Sequence, residues 1–224
     1  MKLLGISNTK TLKGEQLGYR TYIMHLAPGK LSGYQVCASA SAGCLFACLN
    51  LSGMGKFSNV QAARIAKTQL FFMDRPAFMK QLVKEIRAAI LKCMKEGWTP
   101  VFRLNGTSDI RWEDIPVEGA PNIFSLFASY QFYDYTKHAN RRNVPRNYHL
   151  TFSRSESNEH QIPTVDYNTA VVFTELPDTY LGLKVVDGTE TDLRFLDPSG
   201  VIVGLVANGK ALKDTSGFVV RVAA

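Results

Sequence analysis

Two hydrophobic periods run along the chain. Thr21 to Leu26 reads as a strand, and Ala27-Pro28-Gly29 breaks it. From Asn59 to Phe72, and again from Pro76 to Glu96, apolar residues recur at helical spacing. In the second of these Met79, Leu82, Val83, Ile86, Ile90 and Cys93 fall on one face, while Lys80, Lys84, Arg87 and Lys95 lie mainly elsewhere. Pro76 suits a first helical turn and Gly97 a C-terminal stop. Short strands follow at Val101 to Leu104, Gln131 to Tyr135, His149 to Phe152, Ala170 to Phe173 and Val201 to Val206, with a helix around Ile123 to Ser129.

Strands alternating with helices predict an α/β protein with a parallel sheet, and right-handed crossovers can curl such a sheet into a partial (β/α) barrel. The last forty residues differ. Asp187-Gly188, Pro198-Ser199-Gly200 and Asn208-Gly209 punctuate short alternating runs. They predict an antiparallel β meander over residues 184–224, packed on the end of a partial barrel formed by residues 1–183. With no internal repeat and no linker composition, residues 1–224 are expected to form a single domain.

Composition narrows the class. The 224 residues are 46% apolar and 11% aromatic with a net charge of +7, which excludes a disordered chain. No apolar run reaches the roughly 18 residues of a spanning helix, and MKLLGISNTK turns polar too early for a signal peptide. The expectation is a soluble cytoplasmic protein without a membrane partner. Four cysteines are too few for a disulfide framework, so their spacing matters more than their number.

Cys37, Cys44 and Cys48 lie in CASASAGCLFAC, a C-x6-C-x3-C run directly after the first predicted strand. The residues from Ala38 to Gly43 are all small, so the loop can wrap a compact object and offer it backbone amides. Three thiols suit a 4Fe-4S cluster, whose ligands attach to different irons. Zinc would need a fourth ligand such as His25 or His149, and the paired knuckles typical of structural zinc are missing. The remaining alternative is three buried structural thiols. Cys93 sits on the apolar helix face in line with Ile86 and Ile90 and reads as core, which leaves one iron open to substrate or solvent.

Polar residues gather where strands end, as reacting groups do in α/β barrels. Arg103, Asn105, Thr107, Ser108 and Asp109 end or follow the second strand. Tyr135, Thr136, Lys137 and His138 end the third, His149, Thr151, Ser153 and Arg154 belong to the fourth, and Glu175 follows the fifth. Alternation predicts that Arg103 and Asn105, and separately His149, Thr151 and Ser153, face the barrel interior together as a substrate pocket. The expected catalytic residues are His149, Asp109 and Lys137. The expected substrate-binding residues are Arg103, Asn105, Ser108, Thr151 and Ser153. Lys137, His138, Arg141, Arg142 and Arg146 form the densest basic run. A small-molecule substrate is expected, and the run reads as a solvated loop in preference to a nucleic-acid footprint. No phosphate-binding glycine loop and no G-x-S-x-G elbow occurs.

A three-cysteine loop after the first strand of a partial α/β barrel resembles the radical SAM superfamily, although the spacing in that family is C-x3-C-x2-C. The resemblance implies a four-iron cluster with S-adenosylmethionine on the open iron. A Gly-Gly-Glu-type strand that would hold the methionine is not found, and RLNGTSD stands in its place. The cysteine loop, RLNGTSDIRWE, the YDYTK strand and the DLRFLDPSGVIVGL ending also resemble a phage family known by a gene-product number, which implies a phage origin and the host cytoplasm. Three functions follow as expectations. The open iron acts as a Lewis acid for hydrolysis or dehydration, or it binds S-adenosylmethionine for radical chemistry, or the site is closed and serves electron transfer or a host partner.

Overall fold

The computed structural model describes residues 1–6, 13–48, 50 and 53–222. Two short strands and a helix-rich segment lead into the sheet: β1 (Leu4–Gly5), β2 (Tyr19–Met24), α1 (Ala42–Phe46), α2 (Ser58–Met73) and α3 (Arg75–Glu96). Next come β3 (Thr99–Arg103), α4 (Ile123–Leu126), β4 (Gln131–Thr136), β5 (Tyr148–Ser153) and β6 (Thr169–Phe173). The chain closes with β7 (Thr179–Tyr180), β8 (Leu183–Asp187), β9 (Ile202–Val206) and β10 (Val219–Val220). Among the described residues no helix is long and apolar enough to cross a membrane.

The strands form one mixed sheet in the order β1-β2-β3-β4-β5-β6-β9-β8-β7, with β10 also pairing to β6. From β2 to β6 the order in the sheet follows the order in the chain, and every pair there is parallel. Among the ten described strands, antiparallel pairing is confined to β1 with β2 and to β7 with β8. The expected C-terminal meander does not form. β8 pairs parallel to β9, β9 parallel to β6, and β10 parallel to the end of β6 beyond its contact with β5. The cause lies in β9, whose residues Ile202 to Gly204 are buried as in a strand covered on both faces, not alternately exposed as in a half-solvated hairpin.

α3 forms for local reasons. The Asp74 side chain accepts from the Ala77 amide at 3.0 Å, Pro76 occupies the first turn, and Gly97 ends the helix with φ of 75°. Its stripe of Phe78, Met79, Leu82, Val83, Ile86, Ala89, Ile90 and Cys93 packs on the sheet face that carries Tyr22, Met24, Phe102, Leu104, Phe132, Tyr148 and Leu150. Cys93 is fully buried there, with its sulfur 3.5 Å from the Tyr22 hydroxyl. α4 is shorter than expected and stops at Leu126.

The opposite face of the sheet is covered by the chain itself. A 3-10 turn at Arg194–Leu196 brings Leu193 and Phe195 against Tyr19, Val101 and Tyr133. Asp192 of the same segment pairs with Arg103, and Arg194 faces Asp197 at 3.3 Å. This face is therefore filled by a protein segment with its own charges, where the sequence reading expects an open polar pocket.

Candidate thiol site at the strand ends

The thiol loop follows β2, the first strand of the parallel run, as expected. α1 within it is capped by Ser41, whose hydroxyl accepts from the Cys44 amide at 3.1 Å. Glu156, from beyond the end of β5, accepts from the Ser41 hydroxyl at 2.8 Å and from the Gly43 amide at 2.9 Å. Gly43 admits no side chain, since a Cβ would lie 2.1 Å from Ser216 Oγ and 2.6 Å from Phe218 Cβ. Cys44 packs against the patch formed by Ala207, Ala211, Phe218 and Val219. The C-terminal segment thus closes one side of the site.

RLNGTSDIRWE builds the other side. Gly106 passes so close to β2 that a Cβ would sit 2.6 Å from Ile23 Cγ2 and 2.7 Å from the Met24 carbonyl oxygen. Thr107 donates to the Leu26 carbonyl at 2.6 Å. Asn105 Oδ1 accepts from Ser108 Oγ at 2.8 Å, the Ile110 amide at 3.0 Å and Trp112 Nε1 at 3.1 Å. Cys37 Sγ lies 3.6 Å from the Thr107 carbonyl oxygen, and the Asp109 amide donates to the Val36 carbonyl at 2.8 Å. The motif is an architectural clasp that ties the loop after β3 to the thiol loop.

Asp109 is delivered beside the thiols. It accepts from the Lys137 amide at 2.8 Å, pairs with Arg141 at 3.3 Å and lies 3.9 Å from His138 Nε2. Lys137 Nζ donates to Ser153 Oγ at 2.9 Å and faces Cys44. Ser39 Oγ is 3.2 Å from His138 Nδ1. Burial pushes the Cys37 thiol up to about 12, with Cys44, Cys48 and Asp109 adding to the shift. Burial raises Cys44 too, against the pull of Lys137, and raises Cys48 against the Asn50 backbone and Arg64. Burial lowers the Lys137 ammonium, with Cys44 and Asp109 opposing. The three thiols thus share one electrostatic neighbourhood. Among the described residues, however, no three His, Cys, Asp or Glu side chains converge on a point as around a single ion.

The other expected site residues divide. Asp109, Lys137 and Ser153 are brought to the thiols. His149 is not: it is the second residue of β5, opposite Tyr133, four residues before the Ser153 level, a distance of about 13 Å along the strand. Its ring faces Arg194, and burial lowers its basicity. Thr151 is buried on β5, and its hydroxyl lacks a partner among the described residues. Arg103 is occupied by Asp192 and approaches Asp134 at 3.7 Å, while Asn105 and Ser108 are spent in the clasp. Asn105 turns toward Tyr148, on the helix-covered face, and does not share a pocket with Arg103 as alternation suggests, because β3 ends before it. The basic run also splits. Arg141 is buried between Asp109 and Glu113, Lys137 and His138 join the thiol site, and only Arg142 and Arg146 stand exposed.

Several neighbours of the thiols escaped the sequence reading. Glu156 carried no motif. Arg64 and Lys67, three residues apart on α2, carried no motif either, and Arg64 is buried near Cys48. Two clefts, of about 350 Å³ beside Arg154 and Tyr180 and about 410 Å³ beside Tyr22 and Glu85, include none of the three thiols in their walls.

A family model described as Gene product 88 matches residues 1–222. No curated protein and no solved structure matches the chain.

Proposed function

The chain belongs to the gene product 88 family, and from that premise we propose that it holds a 4Fe-4S cluster through Cys37, Cys44 and Cys48, with one iron free of protein thiolate. On this reading it is an enzyme of the host cytoplasm that hydrolyses or dehydrates a small molecule. The observation that carries it is the company the thiols keep. Three cysteines stand after the first parallel strand with Asp109 and Lys137 beside them, while Cys93, the remaining cysteine, is buried in the core.

The donor set fits such a group. Thiols that burial keeps protonated become thiolates when a metal supplies positive charge. Ligands spread over several irons need not converge on one point as the ligands of a single zinc ion do. When bound, the open iron would supply a Lewis acid that polarises an oxygen of the substrate. The chain's own contribution is proton handling and orientation. The Lys137 amine, lowered by burial and steadied by Ser153, is the group suited to moving a proton at Nζ. His138, between Ser39 and Asp109, is the second. Asp109 holds the Lys137 backbone amide and faces His138, and His149 has no part.

A second reading places S-adenosylmethionine on the open iron for radical chemistry. It is favoured by the strand order, since β2 to β6 run in sequence with the thiol loop after the first, as in a partial (β/α) barrel of the radical SAM type. Anaerobic purification with iron and sulfide counting is the test, and about four irons per chain is the expected result. Colourless protein without acid-labile sulfide after reconstitution, or stoichiometric zinc, would overturn the proposal. A reduced-cluster paramagnetic spectrum altered by S-adenosylmethionine selects the second reading. A spectrum altered by no small molecule selects a closed electron-transfer site.

A further inference from the structure

Arg64 differs from the other buried arginines. Arg103, Arg141, Arg154 and Arg194 each face a carboxylate within 4.0 Å, as their ion pairs with Asp192, Glu113, Glu159 and Asp197 attest. Arg64 is only 8% exposed and forms no ion pair among the described residues, and the undescribed residues include no Asp or Glu. One terminal nitrogen donates to Asn50 Oδ1, and Nε has no partner. A buried guanidinium with no carboxylate partner is costly, and the anionic group set beside it, the Cys48 thiol, is itself pushed up by burial, so retention of Arg64 calls for a further anion.

The surroundings are cationic as well. Thr68 Oγ1 donates to the Arg64 carbonyl and accepts from the Ala27 amide, both at 2.9 Å, which pins this turn of α2 against the end of β2. Lys67 lies one turn along the same helix. Its acidic neighbour Glu85 already accepts from the Leu3 and Leu4 amides and from Gln81. His25 follows β2 directly and feels Arg64, Arg103 and Lys67 without an opposing carboxylate. The cluster lies at the carboxyl end of a parallel strand, where α/β sheets bind ligands, and beside Cys48.

We infer that Arg64, Lys67, His25 and Asn50 form a subsite beside Cys48 that binds the carboxylate or phosphate group of a small acidic substrate. This deepens the proposed function, on which the reactive role of the neighbouring thiols rests. The subsite itself is defined by the unpaired guanidinium.

Calorimetric titration of the as-purified full chain with oxalate and with inorganic phosphate tests it, with iron counted in every sample. Native protein is expected to bind one of the two anions saturably, one per chain, and the anion that binds identifies the substrate group. Affinity should fall about ten- to hundredfold in Arg64→Gln and in Lys67→Gln, the range for a lost charged hydrogen bond. Lys67 is half-buried, so its variant carries the test should Arg64→Gln fail to fold. Arg87→Gln, at an exposed pair with Glu118, should bind as native. No saturable binding, or equal binding in all three variants, overturns the subsite, as does loss of iron from Arg64→Gln with anion affinity unchanged. Anion binding with the expected variant pattern in iron-free protein would sustain the subsite while the cluster reading falls. Iron-loaded protein that ignores both anions would sink the subsite alone.

Discussion

Glu156 grips the thiol helix from across the sheet edge, its two oxygens taking the Gly43 amide at 2.9 Å and the Ser41 hydroxyl at 2.8 Å. A five-residue helix cannot sustain itself, so its position depends on such tertiary ties. Glu156→Ala should lower stability by about 1.5–3 kcal/mol, the range for lost hydrogen bonds to a charged group. It should also free Cys44, giving faster alkylation of that thiol in iron-free protein and poorer iron retention in loaded protein. Labelling rates and iron content identical to native would show that the clamp does not position the loop.

Gly43 tests the same contact from the other side. Its missing Cβ is the space occupied by Ser216 Oγ and Phe218 Cβ. Ser216 can rotate away, but Phe218 is held by the neighbouring β10 pairing with β6. Gly43→Ala should therefore push the C-terminal segment off α1, at about 1–3 kcal/mol as for other overpacked sites. Thermal unfolding measures this. Unchanged melting would mean that residues 216–218 give way freely.

β1, β7, β8 and β10 were not singled out in the sequence. β2, β3, β4, β5, β6 and β9 were legible as apolar runs, and α3 was legible down to its Pro76 start and Gly97 stop, because both signals are local. The direction of β9 was not, since parallel and antiparallel partners satisfy the same apolar run and only the neighbour β6 decides. Arg103 could be placed on a face by alternation, yet its partner Asp192 lies 89 residues away. For His149 the period of two gave a face but no height, which the register of Tyr133 against His149 sets near the wrong end of the strand. Arg64 did not stand out in the Asn59 to Phe72 run because helical periodicity does not reveal that Thr68 ties α2 to Ala27, 41 residues earlier. The placement of the three thiols after a strand was legible, since their spacing and the strand before them are both local.

Cys93 separates core from site. It is buried in the main hydrophobic cluster, its sulfur 3.5 Å from the Tyr22 hydroxyl. Cys93→Ala should cost about 1–2 kcal/mol, a modest cavity penalty, while iron content stays at the native level. Iron lost in step with Cys93 would make it the fourth ligand and close the open position.

His25 supplies a dependence on acidity. Burial, assisted by the Arg64, Arg103 and Lys67 cations, lowers its imidazole to about 3. The unfolded chain takes up this proton near the ordinary value of about 6.5. Between those values the unfolded state binds more protons, so this contribution to stability is intact above about pH 6.5 and drains away as the pH falls toward 3. The slope from one such group is at most about 1.4 kcal/mol per pH unit. Urea titrations from pH 7 to pH 4 should therefore show a gentler decline in His25→Gln than in the native chain, and parallel declines would remove His25 from the account. An anion held by Arg64 and Lys67 would offset the charges that oppose His25 protonation. Saturating oxalate or phosphate, whichever binds, should then flatten the native curve toward that of the variant, and leave the variant's own slope nearly unchanged.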